Sequence, residues 1–206
     1  GRWYAEGKEY TEQLHQDLKL REMVMKDTER AGVSSVEIER YPGKVKVTLQ
    51  TAKPGILIGR KGENVKEIRQ KLEALTGKKI DLEVKEIKAA DADAFLVAQN
   101  IASQLERRIS YRRAMKRAIQ QALRQGAEGI KVTVGGRLSG AEMARSVTLR
   151  EGRVPLQTLR ANIEFSRATA STTFGQIGIK VWVYKGIVMD QPEEKVESTE
   201  GVYISE

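Results

Sequence analysis

Apolar positions change their spacing several times within the first 90 residues, and each change marks a new element of secondary structure. Residues 8–30 are polar and helix-favouring, with Tyr10, Leu14 and Leu18 four positions apart, and Gly32 follows as a helix end. We expect a helix here, either continuous or broken in two. Apolar and polar residues then alternate in two short runs joined by a Pro-Gly turn, which predicts a hairpin with one buried face.

A short apolar turn, a glycine-containing loop and another helix follow the predicted hairpin. The apolar residues of this helix have helical spacing and are Val65, Ile68, Leu72 and Leu75. Gly77 closes the helix, and a third alternating run then predicts another strand. The order of elements in this half is therefore helix, strand, strand, short helix, loop, helix, strand.

The pattern in the second half of the chain predicts two helices and about four strands. Asp91 and Asp93 are acids of the kind that open a helix, and the apolar stripe that follows is Ala94, Ala98, Ile101, Leu105 and Ile109. A further helix over 111–125 stops at Gly126. The predicted strands are 130–134, 146–150, 162–173 and 177–183.

These elements indicate an α+β protein of two domains, and 206 residues are enough for each domain to bury a core. We expect residues 1–88 to form the first domain. Residues 89–189 are expected to form the second, an α/β domain with two helices packed on a sheet of about four strands. The last 17 residues, 190–206, hold six acids and one lysine. We expect this tail to be disordered because few of its residues suit a core.

The charge balance indicates a polyanionic partner. The whole chain has a formal charge of +8, and without the tail's −5 the remaining residues carry +13. Nucleic acid is the usual partner of so basic a chain. An acidic membrane surface is the alternative, but the sequence offers no amphipathic basic helix with large apolar residues, no lipidation signal and no apolar run long enough for a span. Without a secretory signal or a cysteine, we expect a cytoplasmic protein that lacks disulfides.

The best single indication of function is the loop Gly59, Arg60, Lys61 and Gly62. Paired glycines allow a nucleic-acid backbone to approach closely, the N–H groups that open the next helix suit a phosphate, and the two cations supply charge. The same glycine spacing occurs at 126–129 and 175–178, but neither tetrapeptide has a cation inside or a helix after it. The context therefore favours the loop at 59–62 as the candidate for RNA binding.

A second candidate surface is a run of cations without any acid. Its members are Arg107, Arg108, Arg112, Arg113, Lys116 and Arg117. At about 100° per residue the last four span an arc of about 140° on a helix, and apolar residues occupy most of the remainder. Like charges four residues apart cost a few tenths of a kcal/mol each, so a merely soluble helix would normally include glutamates. A solvated charged face is the alternative, and the uncompensated charge favours a phosphate backbone.

The residue types that enzymes need are missing from the sequence. The single histidine, His15, lies in the polar first helix without a partner at ligand spacing, so we expect a surface histidine. Residues 55–61 faintly resemble a P-loop, but only three residues separate the glycines and Arg60 interrupts the Gly-Lys-Ser/Thr motif. No pair of carboxylates is marked out as an acid and base. We therefore predict no catalytic residue, no metal site and no cofactor.

Two resemblances to known proteins connect these observations. The order of elements around 59–62 resembles the type II KH domain, an RNA-binding module whose glycine loop clamps a short single-stranded backbone while a neighbouring groove takes the bases. Over residues 3–186 the chain resembles the family of the bacterial-type small-subunit ribosomal protein S three. The motifs that carry this resemblance are AKPGILIGRKGE (52–63), SQLERR (103–108), RRAMKR (112–117), GRLSGAE (136–142), EGRVPL (151–156), TLRANI (158–163) and IKVWV (179–183).

The second resemblance implies a structural protein in the head of the small ribosomal subunit, bound to small-subunit rRNA and to neighbouring ribosomal proteins. It also implies that the protein lies on the solvent side of the small subunit, at the site where messenger RNA enters. In the family, cations that match Arg112, Arg113 and Lys116 line this entrance and help to unwind structured messenger, and Arg117 shares their helix face. Candidate rRNA contacts, each of which could equally be a surface arginine, are Arg107, Arg108, Arg137, Arg145, Arg150, Arg153 and Arg160.

Two other classes of function stay open at this level. A free KH-type module serving RNA processing or decay would normally be fused to catalytic sequence, which is absent. An enzymatic function, suggested by DNA-lesion cleavage in some relatives of the family, would need a defined lysine or acid dyad. The chain also departs from the family pattern, because members usually begin with a further basic stretch before the tryptophan that matches Trp3, and many carry a basic tail.

Overall fold

The computed structural model describes residues 1–28 and 31–188, and leaves out the side chain of residue 61. The first half contains α1 (Gly7–Asp27), β1 (Val33–Tyr41), β2 (Lys44–Thr51), α2 (Pro54–Ile58), α3 (Glu63–Thr76) and β3 (Lys79–Glu86). The second half contains α4 (Ala94–Glu106), α5 (Tyr111–Arg124), β4 (Gly129–Gly136), β5 (Arg145–Gly152), β6 (Ala161–Thr172) and β7 (Gly175–Ile187). This order confirms the predicted α+β fold, including the element order of the type II KH domain.

The first sheet has the strand order β1-β2-β3 and shares its core with α1 and α3. β1 and β2 form the predicted antiparallel hairpin, in which Ile38 lies opposite Val47. β3 pairs with β2 in parallel, because the chain crosses back through α2 and α3 before it forms β3. Strands and helices meet in a core where Ile38, Leu49 and Leu72 are fully buried.

A buried ion pair connects α1 with β1. Arg40 donates to the same oxygen of Asp17 from Nε at 3.0 Å and from Nη2 at 2.6 Å, and the two side chains are 6% and 7% exposed. The indole N–H of Trp3 donates to the other oxygen of Asp17 at 2.7 Å. Arg40 also donates to the carbonyl of Gln13 and to the side chain of Gln16. Both buried charges are thus paired and hydrogen-bonded, as stability requires.

The second sheet is antiparallel throughout and has the strand order β5-β4-β7-β6. α4 and α5 pack on one of its faces, where every second residue of the two central strands is buried. These residues are Ile130, Val132 and Val134 of β4 and Ile179, Val181 and Val183 of β7. Because side chains alternate along a strand, the intervening residues lie on the face away from the helices.

The start of α4 is tied to the first sheet by one carboxylate. Oδ1 of Asp93 caps α4 by accepting the backbone N–H groups of Phe95 and Leu96 at 2.9 and 3.1 Å. Oδ2 of the same residue accepts the hydroxyl of Ser34, in β1, at 2.6 Å. Asp93 was expected to open the second helical region, and its cap explains why the helix begins there. The link to β1 was not predicted.

The helix predicted at the start of the chain is present as α1, and it is continuous. Its buried apolar residues are Leu20 and Val24 near its C-terminal end. Tyr10, Leu14 and Leu18, whose spacing indicated the helix, are exposed by 47%, 38% and 55% respectively. Tertiary packing explains this exposure, because only the last turns of α1 reach the core shared with the first sheet.

The helix with the apolar stripe is shorter than the stripe predicted. α4 ends at Glu106, so the predicted stripe residue Ile109 lies beyond it. Arg108 adopts φ +62°, a left-handed conformation that ends the helix and reverses the chain before α5. Arg107 and Arg108 therefore lie in the turn between α4 and α5.

The boundary expected between residues 88 and 89 stays a prediction, and the tail at 190–206 lies outside the described residues. Within the described ranges, no helix is long and apolar enough to cross a membrane.

Loss of the buried ion pair should destabilise the first domain strongly. We expect Arg40→Met to lower the free energy of unfolding by about 3–5 kcal/mol, because it leaves the Asp17 carboxylate buried without its partner. The double variant Asp17→Leu/Arg40→Met should recover most of the loss, since no charge is then stranded. Urea unfolding followed by circular dichroism measures both.

The matched control is Arg69→Met, which removes an arginine that is 51% exposed and pairs with Glu73 at 3.1 Å within α3. This change should cost less than about 1 kcal/mol. If Arg40→Met and Arg69→Met lowered the free energy of unfolding equally, burial would not be the cause of the large effect expected for Arg40→Met.

Candidate RNA-binding surfaces

The loop at 59–62 depends on two glycines with left-handed backbone. Gly59 has φ 70° and ψ −173°, and Gly62 has φ 77° and ψ 20° at the start of α3. A Cβ atom at Gly59 would lie 2.7 Å from Cγ and Nδ2 of Asn64, whereas a Cβ atom at Gly62 would meet nothing within 4 Å. Asn64 is itself held, because its Nδ2 donates to the carbonyl of Ile56 at 3.1 Å. The shape of the loop therefore requires glycine at position 59, whereas the empty space around Gly62 leaves the outer surface of the loop open.

The surroundings of the loop combine charge with exposed apolar surface. Arg60 is exposed and forms no ion pair with a described residue. Ile56 and Ile58, just before the loop, are 49% and 42% exposed. Ile56 also lines a cavity of about 340 Å³, and Lys71 in the wall of this cavity pairs with Asp27 at 3.0 Å. The hydrogen bond and charge of Asp27 raise the pKa of Lys71, so this lysine stays protonated and its charge is already compensated.

α5 separates an apolar side from a cationic side, as predicted. Ala114, Met115, Ala118, Ile119 and Ala122 are buried against the second sheet. The four cations Arg112, Arg113, Lys116 and Arg117 are all exposed, and we call them the cationic ridge. Within the part of the chain that the structure describes, none of the four forms a salt bridge. The ridge therefore presents positive charge that the residues in 1–28 and 31–188 do not neutralise.

The cationic surface of α5 is longer than the sequence analysis proposed. Arg124 is exposed in the last turn of the helix. At about 100° per residue it falls within the arc of the ridge, between Arg113 and Arg117. Helical periodicity identifies Arg124 as part of this face, although it lies outside the dense run of cations at 107–117.

Two of the candidate rRNA contacts lie together at a cavity. Arg108 and Arg137 line a cleft of about 590 Å³ between the α4–α5 turn and the β6–β7 hairpin. The guanidinium of Arg137 is fixed there, because Nε donates to the carbonyl of Ala141 at 2.9 Å and Nη1 donates to that of Phe174 at 3.3 Å. Its centre also lies 5.6 Å from the Phe174 ring. The two arginines thus belong to one basic recess, whose wall also includes Glu106, and the sequence alone did not bring them together.

The remaining candidate arginines do not form a single surface. Arg145 and Arg150 are exposed on β5 at positions of opposite parity, so they lie on opposite faces of the sheet. Arg153 and Arg160 are exposed in the connection between β5 and β6. Arg107 is exposed in the turn before α5. These positions fit several separate contacts with a large polyanion rather than one pocket.

The described residues offer no arrangement for metal chemistry. In residues 1–28 and 31–188, no group of three or more histidine, cysteine, aspartate or glutamate side chains could hold a metal ion. His15 is exposed on α1, in agreement with the prediction of a surface histidine.

Substitution of the two loop glycines should have unequal effects. We expect Gly59→Ala to lower the free energy of unfolding by about 2–3 kcal/mol, because it adds a collision with Asn64 to an unfavourable backbone conformation. Gly62→Ala should cost only about 1–2 kcal/mol, since the left-handed backbone is strained but the space is empty. Urea unfolding of the two variants measures the difference, and a larger loss for Gly62→Ala would contradict this account.

Family models match both halves of the chain. The model described as "KH domain" matches residues 19–92, which include the first sheet and the loop at 59–62. The model described as "Ribosomal protein S3, C-terminal domain" matches residues 101–183, which include α5 and most of the second sheet.

Individual proteins are similar to the chain over nearly its whole length. It is 57% identical over 185 residues to "Small ribosomal subunit protein uS3" of Finegoldia magna, which covers 90% of this chain and 76% of the relative. The proteins of the same name from Carboxydothermus hydrogenoformans and Saccharophagus degradans are 51% and 52% identical over 200 and 192 residues. These matches cover 97% and 93% of this chain and 90% and 86% of the two relatives. With this identity across both domains, the chain belongs to the family of the small ribosomal subunit protein uS3.

Proposed function

We propose that this chain is a structural component of the small ribosomal subunit in the cytoplasm, where it binds rRNA and neighbouring ribosomal proteins without catalysing a reaction. The names of its relatives support the location, and the KH domain supports RNA as the partner. The charge distribution agrees, because residues 90–188 hold 16 lysines and arginines against seven acids, a net charge of +9. An assembly rich in phosphate compensates such an excess.

The observation that carries the proposal is the cationic ridge. Its four side chains are exposed and lack ion pairs with described residues, yet Ala114 and Met115 of the same helix are fully buried. A rigid scaffold therefore holds the charges in place, so little ordering of the backbone is needed when a phosphate chain binds. Cations four residues apart repel each other, and a bound strand of phosphates removes this cost.

We further infer that the ridge lines the entrance for messenger RNA and assists the unwinding of structured messenger. The chain has no P-loop, so any such assistance must come from binding. Fixed cations that bind the phosphates of separated strands lower the free energy of the open messenger relative to the hairpin. Arg112, Arg113, Lys116 and Arg117 supply these contacts, and Arg124 extends them by two turns.

The other basic groups are assigned to rRNA. Arg60 and Lys61, with the open backbone at Gly62, suit a short single-stranded segment. The proposed rRNA contacts of the second domain are Arg107, Arg108, Arg137, Arg145, Arg150, Arg153 and Arg160. Their spread over a turn, two sheet faces and a long connection suits an RNA that surrounds the domain.

Neutralising the ridge should impair translation of structured messengers while the subunit still assembles. We expect Arg112→Ala/Arg113→Ala/Lys116→Ala to lower the translation rate of a messenger with a stable hairpin several-fold relative to an unstructured one, since each lost charged contact is worth about 1 kcal/mol or more. Sedimentation of cell extract checks assembly, and a reconstituted translation reaction measures the rates.

The charge-matched control is Lys8→Ala/Lys19→Ala/Lys26→Ala, which removes three exposed lysines from α1. It should leave the ratio of the two translation rates unchanged. Failure of the ridge variant to assemble would instead make these cations rRNA anchors. A persistent free pool of the unaltered chain that copurifies with a nuclease would favour the alternative function, a KH-type module in RNA processing or decay.

Charge reversal in the loop should weaken binding of single-stranded RNA. We expect Arg60→Asp/Lys61→Asp to lower the affinity of the full chain and to reduce the slope of log K against log salt by about 1.4, since each phosphate contact with a single strand contributes about 0.7. Titrations at several salt concentrations measure both quantities. Unchanged affinity and slope would make the loop part of the scaffold only.

A further inference from the structure

The face of the second sheet that lies away from α4 and α5 carries two rows of side chains, of which the proposed function uses only Arg150. In the first row, the register aligns Phe165, Trp182, Lys131 and Arg150 across β6, β7, β4 and β5. In the second row, two residues away, it aligns Arg167, Lys180, Thr133 and Thr148. We call these eight positions the open face. Four strands make each row about 15 Å long, and the rows lie about 7 Å apart.

The aromatic end of the open face is available for stacking. The rings of Phe165 and Trp182 lie 5.1 Å apart with an angle of 38° between their planes. Phe165 is 53% exposed although it lies in the middle of a strand. Nζ of Lys131 lies 4.9 Å from the centre of the Trp182 ring and covers part of that ring. Phe165 is therefore the ring with most free surface, and Trp182 supports it.

No described residue compensates the cations of the open face. Lys131 lies directly opposite Arg150, and Arg167 lies directly opposite Lys180. Like charges at directly opposite positions destabilise a sheet. None of the four forms a salt bridge with a described residue, and the two rows contain no acid. A sheet face that served only for solubility would normally alternate the signs of its charges.

Exposed aromatic rings beside cations on an antiparallel four-stranded sheet have the chemistry of a platform for single-stranded nucleic acid. Aromatic rings accept bases of any sequence by stacking, and cations one row away neutralise the phosphates. The threonine hydroxyls at the other end of the second row can bond to ribose, and those of Thr133 and Thr148 lie 2.9 Å apart. A protein partner is the alternative, since exposed aromatic rings and arginines are also typical of protein interfaces, but it would need carboxylates to match the cations.

We propose that the open face binds an unpaired segment of rRNA, with a base stacked on Phe165 and phosphates at Arg167, Lys180 and Arg150. The inference rests on the proposed function for the identity of the RNA. Messenger is the less suitable source, because the cationic ridge lies on α5, on the other side of the sheet. A strand that follows the ridge would have to pass around the edge at β5 to reach Phe165.

The fluorescence of Trp182 tests the platform in the purified full chain. The sequence has two tryptophans, and Trp3 is kept because its indole N–H donates to the buried Asp17; the signal of Trp182 is obtained as the difference from the variant Trp182→Phe. Titration with single-stranded oligouridylate should quench this fluorescence, and Phe165→Ala should raise the dissociation constant obtained from the quenching about 5- to 150-fold, the range expected for one lost stack. Phe165→Tyr should restore binding, because tyrosine also stacks.

The matched control is Tyr41→Ala, which removes an aromatic ring that is 47% exposed and lies beside a lysine in the first domain. It should leave the quenching unchanged. The proposal is overturned when RNA binds to the chain while Trp182 fluorescence does not change, or when Phe165→Ala and Tyr41→Ala have equal effects.

Crosslinking in assembled subunits identifies the source of the RNA. A photoreactive benzoylphenylalanine in place of Phe165 should crosslink to rRNA in small subunits that carry no messenger. Crosslinks to protein alone, or to messenger alone, would contradict the proposal. If the chain did not assemble into small subunits, the proposed function would be refuted. The fluorescence titration would then still decide whether the open face binds single-stranded RNA.

Discussion

The packing of α4 and α5 against one face of the second sheet is the interaction on which the proposed surfaces depend. It buries the alanine and methionine side of α5, so the cations of that helix must face outward. The same packing covers only one face of the sheet, which leaves the aromatic and cationic residues of the other face free. One apolar layer thus holds two separate basic surfaces in fixed positions. Repulsion between like charges within each surface costs tenths of a kcal/mol per pair. This cost is small beside the free energy that burial of the apolar core contributes to folding.

Contacts between the two domains fix the start of α4, the first helix of this apolar layer. Asp93 caps α4 and accepts the hydroxyl of Ser34 in β1, so the first sheet and α4 meet at one carboxylate. A Cβ atom at Gly32 would lie in ordinary contact with Leu96, which indicates how closely the two halves approach. The loop at 59–62 and the cationic ridge therefore belong to a structure whose parts are held together by more than the covalent chain. A single RNA assembly can contact both without ordering a linker.

The secondary structure could be predicted well because most elements have a strong period and clear ends. Gly77 and Gly126 follow their helices as expected, and the alternating strands carry their apolar residues on the buried face. The apolar spacing in α1 correctly predicted a helix, but a period does not say which side of the helix meets a core. The left-handed turn at Arg108 has no sequence signal, because residues other than glycine adopt it only where tertiary packing compensates the strain. The basic recess at Arg137 and the open face depend on register and on long-range contacts, which the sequence pattern does not contain.

The central claim is that folded scaffolding holds uncompensated cations against RNA, and directed cleavage tests it most directly. The sequence has no cysteine, so Lys116→Cys gives a single site for an iron chelate that cleaves nearby RNA. In assembled small subunits, the account predicts cleavage of RNA from position 116. Absence of RNA cleavage from position 116 in subunits that contain the labelled chain would contradict the account.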